Sequence, residues 1–277
     1  MPLAPTLPLN DGHAIPQIGL GTWPLTDDEA AVAVASAIDL GYRHVDTAVK
    51  YGNERGVGEG MRRSGVPRDE LFITTKLDGT YQGDDKAIAG LDGSLKRLGL
   101  DYVDLLLIHW PLPRRGQFVS TFRTFKKLQD DGRVRSIGVS NFKPAHLDAL
   151  LEESGLVPAV NQLQIDPTIP RQDHREYDGE HGILTESWSP LGGAGSGLLH
   201  EAAIASIAEA RGRTPGQIVL RWHIQNDLVP LPKSASPSRQ ADNLAVFDFD
   251  LTPEDMATLD ALSKGPNAGV DSDVSGH

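Results

Sequence analysis

The chain has 277 residues, 39% hydrophobic and 23% charged, the balance of an ordinary globular protein. No apolar stretch reaches the ~18 residues that a membrane-spanning helix needs, which argues against a membrane protein. A formal net charge of −12 repels phosphate backbones and argues against nucleic acid as a partner, so an anionic ligand has to be met by a local basic cluster.

From the N-terminus, MPLAPTLPLNDG lacks the basic start, long apolar centre and small-residue cleavage site of a secretory signal. With no cysteine in the chain, the expected address is cytoplasmic. Leu7 to Pro16 reads as two short extended pieces around the turn Asn10-Asp-Gly12, a hairpin plugging one end of whatever follows. Strands are predicted near Ile18 to Thr22 and His44 to Thr47, then at Phe72 to Thr75, Val103 to Ile108, Ser136 to Val139, Ala159 to Leu163, Ile183 to Glu186 and Leu228 to Leu231. Most lack apolar/polar alternation and so read as buried parallel strands. Helical periodicity lies between them, at Asp28 to Leu40, Asp84 to Leu98, Phe118 to Leu128, Ala145 to Leu151 and Ala202 to Ala210. Glycines mark helix stops at Gly41, Gly65, Gly99, Gly132, Gly155 and Gly212. About eight βα repeats suit an α/β fold of the (β/α)8 TIM-barrel type with an N-terminal β-hairpin. An open doubly wound sheet is the competing architecture. The barrel is preferred because the alternation runs end to end without a linker or composition shift, which makes residues 1–277 one domain.

In a barrel, function sits where strands end. Those positions carry Trp23, Asp46 with Tyr51, Lys76, His109 with Trp110, Ser140 with Asn141, Asn161 with Gln162, Trp188, and Lys233 with Ser234. Each alone is more often a loop ion pair or a helix cap than a catalyst; the set is more informative. Lys76 ends an apolar run and is costly to bury unpaired, and Asp46 on the preceding strand is the nearest counter-charge. A tyrosine is a poor acid at neutral pH unless an ammonium stabilises its phenolate, so Lys76 is expected to lower the pKa of Tyr51 while His109 offers an N–H to a substrate oxygen. Lys233, Ser234 and Arg239 form a basic cluster at the start of a helix that Ser236-Pro237 caps, here taken as the last helix, and such a cluster suits an anion. Leu191 to Gly197 lacks the spacing of a dinucleotide-binding glycine turn and reads as a flexible loop placed to close over a ligand. Trp188 just before it offers a flat stacking surface.

The run of Gly19-Leu-Gly-Thr-Trp23, Gly41-Tyr-Arg-His-Val-Asp-Thr-Ala48, Tyr51-Gly-Asn-Glu54, Thr74-Thr-Lys76, Leu107-Ile-His-Trp-Pro111, Ile137-Gly-Val-Ser-Asn-Phe142, Asn161-Gln162, Ser187-Trp-Ser-Pro-Leu-Gly192, Pro232-Lys-Ser234 and Val246-Phe-Asp-Phe249 resembles the aldo-keto reductase family. Within it the chain looks most like the bacterial 2,5-diketo-D-gluconate reductase group, partly through Trp188 where many members have tyrosine. The resemblance implies a (β/α)8 barrel and NADPH-dependent reduction of a small carbonyl compound by a monomer. Carried over by position, the catalytic set falls on Asp46, Tyr51, Lys76 and His109. The nicotinamide amide contacts fall on Ser140, Asn141 and Gln162, the stacking ring on Trp188, and the adenosine-phosphate contacts on Lys233, Ser234, Arg239 and Asn243. Leu191 joins the cofactor contacts, and Trp23 and Trp110 match walls of the substrate pocket. Two other readings stand beside this one: a metal-dependent barrel hydrolase or lyase with Asp46 and His109 as ligands, and an NADPH-binding redox sensor with negligible turnover. The substrate could be a sugar-derived ketone, a dicarbonyl or a small aldehyde.

Overall fold

The computed structural model describes residues 3–193 and 195–277; Met1, Pro2 and the Ala194 of the glycine-rich loop lie outside the described residues. Eight parallel strands form one sheet: β3 (Leu20–Gly21), β4 (His44–Asp46), β5 (Phe72–Leu77), β6 (Val103–Ile108), β7 (Val134–Ser140), β8 (Val160–Gln164), β9 (Leu184–Trp188) and β10 (Val229–Leu231). Each strand pairs with the next in sequence. β3 and β10 then meet, with Gly19 N–H donating to the Pro230 carbonyl at 3.1 Å, Gly21 N–H to that of Pro232 at 3.2 Å, and a bridge from Gly21 to Lys233. Glycine is required at this seam, since a Cβ on Gly21 would lie 2.7 Å from the Leu231 carbonyl oxygen. The expected barrel is therefore present, although its first strand is shorter than the Ile18 to Thr22 run.

Residues 6–16 form the predicted hairpin, β1 (Thr6–Pro8) antiparallel to β2 (Ala14–Pro16). Its Ile15 and the turn residue Leu9 are buried with Phe72, Val160 and Val229, which open β5, β8 and β10. Apolar burial there closes the N-terminal end of the barrel, and the opposite mouth is left to the loops that follow the strands.

The helices are α1 (Asp27–Leu40), α2 (Glu54–Ser64), α3 (Asp84–Leu98), α4 (Phe118–Asp130), α5 (Pro144–Ser154), α6 (Gln172–Glu180), α7 (Ala202–Arg211), α8 (Pro215–Gln225), α9 (Pro237–Leu244) and α10 (Pro253–Asp260). α1 starts with a capping box between Thr26 and Glu29 and stops at Gly41, whose φ of 116° suits glycine. Two expectations are corrected. α9 is not the last helix, because α10 follows it, and Ser236 occupies the N-cap without a side-chain cap bond. The serine that bonds there is Ser234, whose Oγ accepts from the Ser236 N–H at 3.1 Å. Among the described residues no helix is long and apolar enough to cross a membrane.

Candidate active site

β4 ends on Asp46 and a single 3-10 turn, Val49–Tyr51, carries the chain on to Tyr51. β5 delivers Lys76 between them: its Nζ donates to Asp46 Oδ1 at 2.6 Å, to the Thr47 carbonyl at 3.1 Å and to Tyr51 Oη at 3.1 Å. The ammonium also lies 4.9 Å from the Tyr51 ring centroid, a distance that favours a cation facing a phenol. Lys76 has no exposed surface. Burial opposes its charge, but Asp46 and Tyr51 together outweigh burial and hold the lysine pKa above its ordinary value. For Tyr51 the order is reversed. Burial raises the phenol pKa, Lys76 pulls it down, and the net direction is upward. The expectation that Lys76 would bring the phenol below its ordinary range is thus corrected: its pull is present and desolvation exceeds it.

His109, just past β6, faces this cluster with its ring centroid 5.6 Å from that of Tyr51. Burial pushes its pKa well below the usual histidine range, helped by the positive charges of Lys76, His277 and Lys50, so the ring is neutral. Its buried Nδ1 has no hydrogen-bond partner among the described residues. Trp23 sits 5.3 Å from Tyr51 on the outer side and is 57% exposed, whereas Trp110 is buried beside His109.

The next two strands end in polar side chains tied to the same cluster. Asn141, with a φ of 64°, donates from Nδ2 to the His109 carbonyl and to Ser140 Oγ, both at 3.0 Å, and its Oδ1 accepts from Trp188 Nε1 at 3.0 Å. Ser140 Oγ donates to the Gln162 carbonyl at 2.9 Å. Gln162 Nε2 donates to Asp46 Oδ2 and to Glu186 Oε2, each at 2.9 Å. Asp46, Tyr51, Lys76, His109, Ser140, Asn141, Gln162 and Trp188 are therefore one connected group. Leu191 lies half-buried against the apolar core.

Lys233 and Ser234 follow β10, Arg239 lies in the first turn of α9 and Asn243 in its last. Lys233 and Arg239 are exposed, and Ser234 and Asn243 are buried. Two exposed cations at a helix N-terminus, on a chain of net charge −12, make a donor set suited to a phosphate. The half-buried indole of Trp188 and the amide and hydroxyl groups of Asn141, Gln162 and Ser140 suit a planar carboxamide-bearing ring. The residues present therefore fit a nicotinamide dinucleotide carrying an extra phosphate.

Two features escaped the sequence reading. Glu186, fully buried in β9, bonds to Gln162; its only signal is an acid within a predicted buried strand. The tail folds back over the mouth. Lys143 Nζ reaches Asp271 at 2.6 Å, His146 Nε2 reaches Asp273 at 2.9 Å, and the His277 ring ends 4.8 Å from that of His109. Among the described residues no group of three or more His, Asp or Glu could hold a metal ion.

The sequence profile described as the Aldo/keto reductase family matches residues 17–264. An aldo-keto reductase of Mycolicibacterium smegmatis is 49% identical over 97% of both chains, and the 2,5-diketo-D-gluconic acid reductase B of a Corynebacterium species is 47% identical over 96% of this chain and 95% of its own. Among solved structures, a Bombyx mori aldo-keto reductase in complex with NADP superposes with a TM-score of 0.89 at 35% identity, over 95% of this chain and 94% of its own.

Proposed function

The chain belongs to the aldo/keto reductase family and is an NADP-dependent oxidoreductase, and on that premise we propose that it reduces aldehydes or ketones to alcohols with Tyr51 as the proton donor. The observation that carries this reading is the position of Lys76 Nζ, 2.6 Å from Asp46 and 3.1 Å from Tyr51 Oη at once. NADPH, when bound, supplies the hydride that adds to the carbonyl carbon. The chain's own residues handle the oxygen. His109, kept neutral by burial, offers an imidazole N–H to the carbonyl oxygen and orients it toward Tyr51. As negative charge develops on that oxygen, Tyr51 Oη gives up its proton, and the phenolate left behind rests against the Lys76 ammonium. Asp46 keeps that ammonium charged and in place. The raised pKa of Tyr51 keeps the phenol protonated before the reaction, and the lysine stabilises the anion formed during it.

Ser140, Asn141, Gln162, Trp188 and Leu191 hold the nicotinamide end, Lys233, Ser234, Arg239 and Asn243 hold the adenosine phosphate, and Trp23 and Trp110 wall the carbonyl pocket. We read residues 1–277 as a single barrel domain acting as a cytoplasmic monomer on small carbonyl compounds. The test is a panel of aldehydes, sugar-derived ketones and dicarbonyls ranked by catalytic efficiency with NADPH and with NADH. The expected result is multiple turnover with several of them and a preference for NADPH. Tight NADPH binding with no turnover of any carbonyl would favour a redox sensor instead.

A further inference from the structure

Behind the Asp46–Lys76 pair lies a buried acid that the mechanism above does not use. Glu186 is fully buried in β9, and its register puts it beside Gln162 of β8 and Val229 of β10. Gln162 Nε2 carries two hydrogens, and both are committed, one to Asp46 Oδ2 and one to Glu186 Oε2, each at 2.9 Å. Asp46 is held at both oxygens in turn, Oδ2 by Gln162 and Oδ1 by Lys76. Tyr51 therefore stands at one end of a chain of contacts running through Lys76, Asp46 and Gln162 to Glu186.

We propose that Glu186 is a positioning residue for the reaction: by accepting from Gln162 it fixes the amide that holds Asp46, and so sets where the Lys76 ammonium meets Tyr51. The proposal rests on the assignment of Tyr51 as proton donor and adds a residue that touches none of the reacting atoms. Without the Glu186 oxygen, the second hydrogen of Gln162 has no acceptor in a buried site, and the amide rotates to find one.

Glu186 does this as a neutral carboxyl. Burial and the negative charge of Asp46 push its pKa up to about 8, against the opposing pull of Gln162 and Lys76. The titratable groups that face it are Asp46 and His44 from β4 and Lys76 from β5; β8 presents Gln162 and β10 presents Val229. His44 Nε2 lies 3.7 Å from Glu186 Oε1, and burial drives the imidazole pKa down to about 3, so it supplies no counter-charge at neutral pH. The sign follows from the raised acid. Below its pKa Glu186 is neutral and the chain of contacts is intact. As pH rises through about 8, a second carboxylate forms across one amide from Asp46, and the added negative charge makes the Tyr51 phenol a weaker acid.

The experiment measures kcat and KM for one aldehyde across neutral to alkaline pH, together with the NADPH dissociation constant, in wild type, Glu186→Gln and Glu186→Leu. Wild type is expected to lose kcat with a midpoint near pH 8, and Glu186→Gln, which keeps an acceptor oxygen and cannot ionise, is expected to lack that fall. Glu186→Leu should lower kcat about 10- to 100-fold and also weaken NADPH, because the rotated Gln162 amide serves the nicotinamide end as well, and Glu186→Gln should restore both. If Glu186→Leu does not fold, as a melting curve with NADPH would show, the Glu186→Gln profile decides alone. A Glu186→Gln profile that keeps the wild-type alkaline fall overturns the proposal, as does a wild-type profile without one. Tyr51→Phe, run beside them, separates the two levels: full activity there sinks the proton-donor assignment itself, whereas an inactive Tyr51→Phe with an unaltered Glu186→Gln profile removes only the role of Glu186.

Discussion

Lys76 is buried without exposed surface at the centre of a site whose phenol and imidazole must both stay uncharged. Its charge survives because Asp46 stands 2.6 Å away; removing one member of a buried pair leaves the other uncompensated. Asp46→Asn should therefore destabilise the fold by about 3–5 kcal/mol, measured by urea denaturation at neutral pH, while Asp46→Ala at the same site should do no better. With its main supporting partner gone, burial dominates and the Lys76 pKa falls. The sign of the wild-type linkage is the usual one for a raised lysine: stability from the pair is complete below the ordinary lysine pKa and is lost as pH climbs through the higher folded value. A mutant as stable as wild type would mean that the ammonium finds another partner.

At the scale of elements, α9 and the segment after β10 do one job. Lys233 ahead of α9 and Arg239 in its first turn are exposed cations, and charge-assisted hydrogen bonds to a phosphate contribute about 1.5–3 kcal/mol each. Replacing both by alanine should weaken NADPH at least roughly a hundredfold and NADH by less than about twofold, read by fluorescence titration; equal losses would move the phosphate elsewhere. Strand elements were legible in the sequence because a strand buried on both faces, such as Val103–Ile108, is a largely apolar run without alternation, here interrupted only by Asp104. α2 was legible only at its end, where Gly65 marks the stop: its three glycines hide the helical period, yet a Cβ on Gly56 would lie 1.9 Å from the Asp27 carbonyl oxygen and one on Gly58 2.2 Å from that of Leu98. Close packing against α1 and α3 therefore demands glycine, and tertiary contact overrides helix propensity. α6, with the sequence QDHREYDGE, buries only Asp178 and has no apolar stripe to find. The tail was illegible for a similar reason: Asp271 and Asp273 look like solvated charges until Lys143 and His146 are seen beside them.

Across the whole molecule, the barrel gathers residues far apart in the chain onto one mouth. Asp46 and Tyr51 are near neighbours in sequence, but each is linked to the site through Lys76, which arrives on the following strand. The side chains at strand ends could be named from the sequence because a parallel barrel exposes them on one side. Their mutual contacts could not, since register and closure at the Gly21–Lys233 seam decide which ends meet. The most direct test of the account is the single-turnover rate of aldehyde reduction by enzyme carrying bound NADPH, in wild type and in Tyr51→Phe. A positioned acid contributes roughly 10²–10⁴-fold, so Tyr51→Phe should slow that step at least about a hundredfold with NADPH affinity unchanged. An unchanged single-turnover rate would contradict the assignment of Tyr51 as the proton donor.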